Sequence, residues 1–393
     1  MPLHNPHTLA ATLMSARFYG AKSEPIDEVT VLREAPCGPF HWLIVNVRHG
    51  ETQDLYQLLV NDADEDVLGT PEGAAAYREA IGDIAEISGD TGVTGNPRPF
   101  KGEQSNTSVV FGGRMYKVFR RLEHGLNPDV ELLSEITDCP HVAPVHGHTS
   151  YDLDGVKVTL SMVQDLVPGA TDGWKYALAL TGEPTAFLPE ARALGAATAR
   201  VHADLAAAFD TESTPARQLA QRLRGHFSSL KKRAPELSEV EEAVMGVYAA
   251  LASRGESVNL QRIHGDLHLG QVLRSENGYT LVDFEGEPAR DLEDRRRPDA
   301  AARDVAGLVR SIDYAAHFNN GGSPTAESEE WAAGAIGALL EGYGYDTRDA
   351  FQALLLRALV LDKACYELVY EANNRPDWID IPRSAIRRLT AEG

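Results

Sequence analysis

Cysteine is scarce in this sequence, and its spacing argues against two kinds of stabilising site. Only Cys37, Cys139 and Cys365 occur among 393 residues, and no two of them form a C-x-x-C pair. An odd number of widely separated cysteines predicts neither a disulfide framework nor a cysteine zinc site. A reducing cytoplasm is therefore the expected location.

Long apolar runs are also missing. No stretch approaches the roughly 18 residues that a membrane-spanning helix needs. Residues 1–20 contain no basic segment that leads into an apolar one. We therefore expect a soluble cytoplasmic protein that carries no visible export signal and does not bind a membrane.

Positive charge is in short supply. Lys and Arg number 37 against 58 Asp and Glu, which gives a formal net charge of −21. Such a surface repels nucleic-acid backbones and anionic lipids, so neither is an expected partner. It tolerates a neutral or cationic small substrate. With 43% hydrophobic residues the chain is expected to be globular, and its length of 393 residues allows two or three domains. A monomer or weak dimer is expected.

Two short motifs carry most of the recognisable chemistry. They are His264-Gly265-Asp266-Leu267-His268-Leu269-Gly270-Gln271 and Leu281-Val282-Asp283-Phe284-Glu285. Phosphoryl transfer to an alcohol needs a carboxylate that orients and deprotonates the hydroxyl group, and oxygen ligands for Mg²⁺ beside the nucleotide phosphates. Asp266 fits the first role and Gln271 and Asp283 fit the second, with Glu285 as a further candidate ligand.

The spacing of these motifs matches that of the kinase catalytic loop H-x-D-x-x-x-x-N and the metal-binding D-F-G. Gln271 replaces the Asn, and Glu285 replaces the Gly. The alternative is a polar turn between two strands that holds two acids by chance. Two motifs at the correct mutual distance favour the catalytic interpretation.

The chain divides into three predicted domains. Residues 1–95 have β-rich patterns, a hairpin turn at 49–53 and no catalytic motif, so we expect an N-terminal cap domain. Residues 96–165 are predicted to form a nucleotide-binding lobe. Residues 166–393 are predicted to form a mainly helical lobe with the catalytic and sugar-binding sites. The Gly-, Pro- and Thr-rich stretch 89–102 is expected to be a linker.

Candidate ATP-binding residues lie in the middle domain. Lys117 on an alternating strand fits the lysine that binds the α- and β-phosphates, and Glu131 in the first turn of the next helix is its predicted partner. Ser105 begins a strand pair that could lie over the phosphates. In a kinase-like fold, the segment with Gln164, Asp165 and Val167 would be the hinge that pairs with adenine.

Candidate acceptor-binding residues are spread over the last domain. Asp266 and His268 belong to the catalytic motif, whereas Asp304 could either bind a substrate hydroxyl or hold the catalytic loop. Glu367 and Glu371 lie four residues apart and so share one face of a helix, with Asn374 and Trp378 following. Acids and an indole are typical of sugar sites. The alternative is a solvated acidic face with Trp378 in the core.

These residues resemble those of the actinobacterial maltokinases and their relatives. The resemblance rests on both motifs, the second of them extended through Gly286-Glu287-Pro288. It rests also on Arg303-Asp304-Val305-Ala306-Gly307 with Ile312-Asp313-Tyr314-Ala315-Ala316, on the stretch 167–174 and on Tyr366-Glu367 through Arg375-Pro376. It implies an α+β, bilobal protein-kinase-like fold of the aminoglycoside phosphotransferase kind, with an N-terminal cap. It also implies an ATP- and Mg²⁺-dependent sugar kinase with Asp266 as base and Gln271 and Asp283 as metal ligands.

The resemblance leaves the sugar open. The chain is shorter than maltokinases usually are, which suggests a relative with another substrate, and the glucosamine kinases of this group are such relatives. The acids Glu367, Glu371 and Asp304 suit a cationic amino sugar, so the resemblance implies glucosamine, giving glucosamine 6-phosphate, as the preferred substrate. Maltose, giving maltose 1-phosphate, is the first alternative. An aminoglycoside phosphotransferase and a non-catalytic pseudokinase that serves as a binding module are the others.

Overall fold

The computed structural model describes residues 4–22, 24–100, 105–183, 185–288 and 290–391 of the chain. The backbone forms two units, of which the first comprises Met1–Thr137 and Ala143–Pro168 and the second comprises Asp138–Val142 and Gly169–Gly393. The predicted boundary after residue 165 lies near the change of unit after Pro168. The division of the first unit into a cap and a nucleotide-binding lobe stays a prediction.

The first unit contains both of the larger β-sheets. Its elements are α1 (Pro6–Ser15), β1 (Glu28–Cys37), β2 (Phe40–His49), β3 (Thr52–Val60), α2 (Pro71–Ile84), β4 (Glu86–Gly89), β5 (Pro97–Pro99), β6 (Thr107–Phe111), β7 (Arg114–Val118), β8 (Arg121–Leu122), α3 (Pro128–Glu135), β9 (Val145–Leu153) and β10 (Val156–Asp165).

One sheet has the antiparallel order β1-β2-β3-β8. The register pairs His49 with Thr52, which confirms the predicted hairpin, and Gly50 in its turn has a φ of +59° that suits glycine. Helix α1 begins after Asn5, whose side chain accepts a hydrogen bond from the backbone N–H of His7. Leu9 and Leu13, four residues apart on this helix, join the buried cluster of the sheet.

The other sheet has the order β4-β9-β10-β7-β6-β5. Strand β7 lies between β6 and β10, so Lys117 stands opposite Ser108 on one side and Met162 on the other. An inner strand of a sheet has neighbours on both edges, which restrains its backbone. Lys117 is therefore held on a rigid element.

The predicted linker 89–102 is wrong at Gly89 and at Pro97–Pro99, which belong to strands β4 and β5. The left-handed φ of Gly89 (+74°) and its close approach to His146, where a Cβ would lie 2.4 Å from the carbonyl oxygen, explain one glycine of the stretch. Pro97 and Pro99 lie on the edge strand β5, where a missing N–H is tolerated. Residues 101–104, which include the last two residues of the predicted linker, lie outside the described residues.

A buried amide joins the two sheets of the first unit. Gln57 on β3 is 1% exposed, and its Nε2 donates to the carbonyl oxygens of Phe119 (2.5 Å) and Leu160 (2.6 Å). Its Oε1 accepts from Trp42 Nε1 and from the Tyr77 hydroxyl group. A buried amide with satisfied donors and acceptors fixes the position of the elements that it bonds.

The second unit is mainly helical. Its elements are β11 (Thr171–Asp172), α4 (Gly173–Leu180), α5 (Leu188–Ala208), β12 (Glu212–Pro215), α6 (Ala216–Arg233), α7 (Glu241–Ala252), β13 (Ser257–Leu260), β14 (Val272–Ser275), β15 (Gly278–Leu281), α8 (Leu292–Arg295), α9 (Ala302–Phe318), α10 (Ala326–Tyr343), α11 (Ala350–Asn374) and α12 (Asp380–Ala391).

Glycine permits a close helix contact in this unit. A Cβ on Gly195 of α5 would lie 2.1 Å from the Leu339 carbonyl oxygen, and one on Gly342 of α10 would lie 1.9 Å from that of Arg192. The two helices therefore touch through backbone. No helix in the described part of the chain is long and apolar enough to cross a membrane.

All three cysteines are buried. Burial raises the pKa of the Cys37 and Cys139 thiols to about 11 and that of Cys365 well above its usual range. A thiol rather than a thiolate is weakly reactive, so these side chains serve as small apolar core groups.

Candidate active site

The motif His264–Gln271 forms a loop that helix α9 holds by its backbone. Asp304, in the first turn of α9, accepts hydrogen bonds from the backbone N–H groups of His264 (2.8 Å) and Gly265 (3.0 Å) through its two carboxylate oxygens. Gly265 has a φ of +86°, a conformation that glycine adopts without strain. The imidazole of His264 in turn bonds the Val282 carbonyl oxygen at 2.9 Å, which ties the two motifs together.

Asp304 therefore holds the catalytic loop, and the alternative of binding a substrate hydroxyl is revised. The residue is 1% exposed, so no acceptor reaches it without rearrangement. Burial alone would raise the pKa of its carboxyl group, but hydrogen bonds from His202 and the loop backbone bring that pKa below its ordinary value.

His202 supports Asp304 from α5. Its Nε2 lies 3.0 Å from Asp304 Oδ2, and its Nδ1 lies 2.8 Å from the Tyr343 hydroxyl oxygen. The sequence showed only a histidine inside an apolar helical stripe, so its role as a positioning residue was missed.

Two further residues of α9 contact the loop from the same helical face. A Cβ on Gly307 would lie 2.2 Å from the Leu267 carbonyl oxygen, so that carbonyl packs directly on the helix backbone. Ser311 Oγ accepts a hydrogen bond from the Leu269 N–H at 3.0 Å. Positions 304, 307 and 311 follow the helical period, and one stripe of α9 therefore positions the loop.

Asp266 is paired with a lysine that sequence reasoning missed. Lys363 Nζ lies 3.2 Å from Asp266 Oδ1, and the two side chains are 30% and 22% exposed. Burial alone would lower the pKa of Lys363, but Asp266, Glu287 and Glu367 around it raise that pKa above its ordinary value. Lys363 Nζ also lies 5.2 Å from the centroid of the Tyr366 ring. The available sequence signal was Lys363 on the same helix as Glu367, four residues earlier.

Gln271 and Asp283 come together because a hairpin joins them. Gln271 immediately precedes β14, Asp283 follows β15, and Val272 pairs with Leu281 at the open end of this hairpin. The Gln271 amide Nε2 donates to Asp283 Oδ2 at 2.9 Å. Asp283 has a φ of +69°, a left-handed conformation that is uncommon outside glycine and marks functional sites.

Amide and carboxylate oxygens are the donor set that Mg²⁺ prefers, so this pair fits the predicted metal. Glu285 lies two residues further along, and its carbonyl oxygen accepts from Arg295 Nη1 at 2.7 Å. Its side chain as a third ligand stays a prediction.

His268 lies beside Asp266 in the loop with a defined ring orientation. Its Nδ1 accepts a hydrogen bond from the Gly270 N–H at 3.0 Å, which leaves the proton of the neutral ring on Nε2. Burial lowers the pKa of this imidazole. A neutral histidine can donate a hydrogen bond to an acceptor substrate or a phosphate, and this role stays a prediction.

In the first unit, Lys117 is paired with Asp129. The Nζ–Oδ2 distance is 2.7 Å, and the side chains are 9% and 1% exposed. Asp129 lies in the first turn of α3, where the Asn127 side chain caps the helix. The acid that the structure places on Lys117 therefore precedes the predicted Glu131 by two residues. Glu131 as a partner stays a prediction.

The other predicted nucleotide-binding residues lie just before strand β6 or around the end of strand β10. Ser105 is exposed just before β6. Gln164 is 9% exposed near the end of β10, and Asp165 accepts a hydrogen bond from His146 Nε2 at 2.7 Å. Val167 follows Leu166, whose N–H donates to the Gly113 carbonyl oxygen. Their contacts with adenine or phosphate stay predictions.

The two predicted acids on α11, Glu367 and Glu371, each form an ion pair with an arginine. Glu371 is 1% exposed and bonds Arg375 (2.6 Å) and the Tyr314 hydroxyl group (3.1 Å). Glu367 bonds the buried Arg310 at 2.7 Å. Glu371 is almost fully buried, so the prediction that it binds the substrate directly is revised to a structural role. Glu367, whose side chain is 14% exposed, stays a predicted substrate-binding residue.

Asn374 and Trp378 lie at the end of α11. Asn374 is exposed and donates to the Tyr370 carbonyl oxygen at 2.8 Å. The Trp378 ring packs on Phe318 at 5.0 Å and beside the Arg375 guanidinium. Their contacts with a sugar stay predictions.

A cavity of about 430 Å³ opens beside the catalytic loop in the second unit. Gly265, Glu287, Asp362 and Tyr366 are among its lining residues, together with several arginines. Glu287 is 16% exposed and bonds Arg290 at 2.9 Å. Sequence reasoning gave Glu287 no role, although it follows the second motif by only two residues.

Comparison with known proteins shows the family of the chain and two curated relatives. The model of the phosphotransferase enzyme family matches residues 98–354, which include Lys117 and both motifs. A glucosamine kinase from Streptacidiphilus jiangxiensis is 32% identical over 258 residues, which are 60% of this chain and 58% of that protein. This alignment thus spans less than two thirds of that relative. A glucosamine kinase from Mycolicibacterium smegmatis is 28% identical over 332 residues, covering 75% of this chain and 80% of that one.

A solved structure shows the same fold. It is a glucosamine kinase in complex with glucosamine, ADP and inorganic phosphate, and it has a TM-score of 0.70 at 22% identity over 97% of this chain and 98% of that chain. At this identity the likeness is one of fold. The predicted α+β, aminoglycoside phosphotransferase-like fold is confirmed.

Proposed function

The chain belongs to the phosphotransferase enzyme family, and from this premise we propose that it transfers the γ-phosphoryl group of ATP to a hydroxyl group of glucosamine, giving glucosamine 6-phosphate. The observation that carries the proposal is the position of Asp266. It pairs with Lys363 and lies in the same loop as Gln271, which donates a hydrogen bond to Asp283. The curated relatives named above are glucosamine kinases.

Asp266 is the proposed base. It accepts the proton of the acceptor hydroxyl group as the oxygen forms a bond to the γ-phosphorus and the bond from that phosphorus to the β,γ-bridging oxygen breaks, which releases ADP. Lys363 holds the carboxylate by their ion pair. Asp304 and the α9 stripe keep the loop backbone in the position that this transfer requires.

Gln271 and Asp283 would hold Mg²⁺, with Glu285 nearby. When bound, Mg²⁺ neutralises charge on the nucleotide phosphates. The hydrogen bond from Gln271 Nε2 to Asp283 orients the amide and keeps its oxygen as the ligand atom.

Residues of the first unit are proposed to bind the nucleotide. Lys117, fixed by Asp129, supplies a cation for the α- and β-phosphates, and Glu131 and Ser105 lie on neighbouring elements. Gln164, Asp165 and Val167 would present backbone groups to adenine.

The acids around Lys363 favour a cationic acceptor. Asp266, Glu287 and Glu367 together raise the pKa of Lys363, so three carboxylates act on this ammonium group. An acceptor with its own ammonium group gains charge-assisted hydrogen bonds there, each worth about 1.5–3 kcal/mol. Glu287, on the cavity beside the loop, is the proposed partner of the glucosamine amino group.

A coupled assay of ADP release tests the proposal. The protein is incubated with ATP, Mg²⁺ and one of glucosamine, N-acetylglucosamine, glucose, maltose or an aminoglycoside. We expect glucosamine to have the highest kcat/KM, and ³¹P NMR to place the phosphate on O6. N-acetylglucosamine is the control for charge, because its acetylated nitrogen carries none. The acetyl group also adds bulk. Preference for maltose or an aminoglycoside would contradict the glucosamine assignment and retain the kinase.

A further inference from the structure

A second group of ligand-type side chains lies in the first unit, in segments that hold none of the residues proposed to bind the nucleotide or the sugar. His4 precedes α1, Glu34 lies on β1 and His41 lies on β2. Pro36 pairs with His41, so Glu34, two residues before Pro36, projects from the same face of the hairpin as His41. One ligand atom from each of the three side chains lies within 4.8 Å of the others.

His4 has a buried ring nitrogen that needs a partner. The residue is 7% exposed, and its Nε2 has no hydrogen-bond partner among the residues that the structure describes. That nitrogen lies 3.4 Å from Glu34 Oε1 without the alignment of a hydrogen bond. A buried polar atom without a partner destabilises the folded protein. Some ligand directed at Nε2 would remove this penalty.

Each histidine also has a carboxylate on its other nitrogen. Asp64 Oδ1 lies 2.5 Å from His4 Nδ1, and Asp62 Oδ1 lies 3.4 Å from His41 Nε2. Asp64 is itself fixed, because its Oδ2 accepts from the Asn5 N–H. A carboxylate behind the imidazole is the usual outer partner of a metal-binding histidine, since it sets the tautomer and orients the ring.

We propose that His4 Nε2, His41 Nδ1 and the Glu34 carboxylate bind one divalent transition-metal ion, with Zn²⁺ as the preferred metal. Two imidazoles and a carboxylate suit Zn²⁺, whereas the all-oxygen pair Gln271 and Asp283 suits Mg²⁺. His41 is 25% and Glu34 is 37% exposed, which leaves a side open for water as a fourth ligand. The ion would fasten the segment before α1 to the β1–β2 hairpin.

Zinc titration of the tag-free, metal-stripped full chain in saturating Mg²⁺ tests this site. We expect one Zn²⁺ per chain by calorimetry and by elemental analysis, and a rise in Tm on binding. His4→Ala and His41→Ala should each weaken binding by at least about 100-fold. Asp64→Asn should weaken it by about 10- to 100-fold, the usual effect of losing an outer carboxylate. The matched control is His7→Ala, which removes an exposed histidine three residues from His4 and should bind Zn²⁺ as the unmodified chain does.

Two results would overturn the site: no stoichiometric Zn²⁺ binding by the unmodified chain, or unchanged affinity in both histidine variants. Circular dichroism in EDTA checks that the variants fold. If the alanine variants do not fold, Glu34→Gln takes their place, because it keeps the shape of a partly exposed side chain. Unchanged Zn²⁺ affinity in Glu34→Gln would then count against the proposal.

Discussion

Asp266 and Lys363 form an ion pair between two partly exposed side chains at the candidate active site. Lysine donates through a single flexible ammonium group, so it can hold the carboxylate in the free protein and yield one oxygen to an acceptor hydroxyl. The pair accounts for an acid that is both ordered and reachable.

Replacing Asp266 with Asn should lower kcat by at least about 100-fold, because the amide cannot accept the hydroxyl proton. ADP affinity, measured by calorimetry, should remain within about threefold, since the side chain has no proposed nucleotide contact. Turnover close to that of the unmodified protein would show that another group is the base.

Replacing Glu287 with Gln should lower kcat/KM for glucosamine by about tenfold or more, equivalent to about 1.4 kcal/mol. The activity on N-acetylglucosamine or glucose should change little, because neither has an ammonium group. The comparison variant is Glu371→Gln, where the ion pair between the buried Glu371 and the half-exposed Arg375 is lost. That variant should lower Tm without changing the ratio between glucosamine and glucose. Equal losses on charged and neutral sugars in Glu287→Gln would reject its role.

At this scale the sequence predicted the residues whose neighbours are close in the chain. Asp266, Gln271 and Asp283 lie in two motifs joined by one short hairpin, so their spacing in the sequence predicted that they lie close together in space. Lys363 and Asp129 could not be assigned as partners, because tertiary packing brings them to Asp266 and Lys117. Glu371 is different: Arg375 follows it by four residues, and this helical pair was visible in the sequence and was overlooked.

Helix α9 is the element that supports the catalytic loop, and its contacts are made by short side chains. Asp304, Gly307 and Ser311 face the loop along one stripe. The sequence showed the helical period of this stretch, but it did not show that the stripe faces the loop 264–271. This is why Asp304 had two equally good interpretations before its surroundings were known.

Gly307→Ala should disturb this support, because a Cβ at 2.2 Å from the Leu267 carbonyl oxygen forces the loop away from the helix. We expect a loss of stability of about 1–3 kcal/mol, as for overpacked cores, and a fall in kcat larger than the change in KM for ATP. Gly337→Ala on α10 is the control, since a Cβ there meets no atom within 4 Å. That change should be neutral or stabilising. Equal effects of the two substitutions on kcat would contradict the packing argument.

Helices α9 and α12 are joined by a buried acid. Asp313 is 3% exposed and bonds Arg310 on its own helix and Arg388 on α12. Burial alone would raise the pKa of Asp313, but Arg310, followed by His317 and Arg388, brings that pKa well below its usual range. The stabilisation is therefore present above the carboxyl pKa of the unfolded chain and is lost as the pH falls through the lower folded value.

Asp313→Asn should remove that pH dependence. At pH 7 the free energy of unfolding should fall by roughly 3 kcal/mol, as when one partner of a buried ion pair is removed. Between about pH 5 and pH 2 the variant should lose less stability than the unmodified chain does, measured by urea unfolding. Asp377→Asn, at an exposed position, is the control and should follow the unmodified curve. Parallel curves for Asp313→Asn and the unmodified chain would exclude Asp313 as the source.

The whole molecule carries a net charge of −21, and this charge acts on substrates before they bind. A negative surface attracts a cationic sugar and repels nucleotide phosphates, and salt screens both effects. The prediction that nucleic acid is no partner follows from the same field.

Raising NaCl from about 20 mM to about 500 mM should therefore lower kcat/KM for glucosamine by about threefold or more at saturating ATP. Added salt shortens the Debye length and so screens the attraction between the negative protein and the cationic sugar. The value for glucose should change much less. An equal salt effect on both sugars would mean that the field does not select between them.

The burial of every cysteine makes the chain convenient for fluorescence work. Cys37, Cys139 and Cys365 are inaccessible, and two of their thiols have a pKa of about 11, so maleimide dyes should leave the native chain unlabelled. A cysteine introduced at an exposed position of α10 would then be the reactive thiol, and no native residue would have to be replaced first. A single fluorophore placed in this way could report glucosamine or ADP binding in real time.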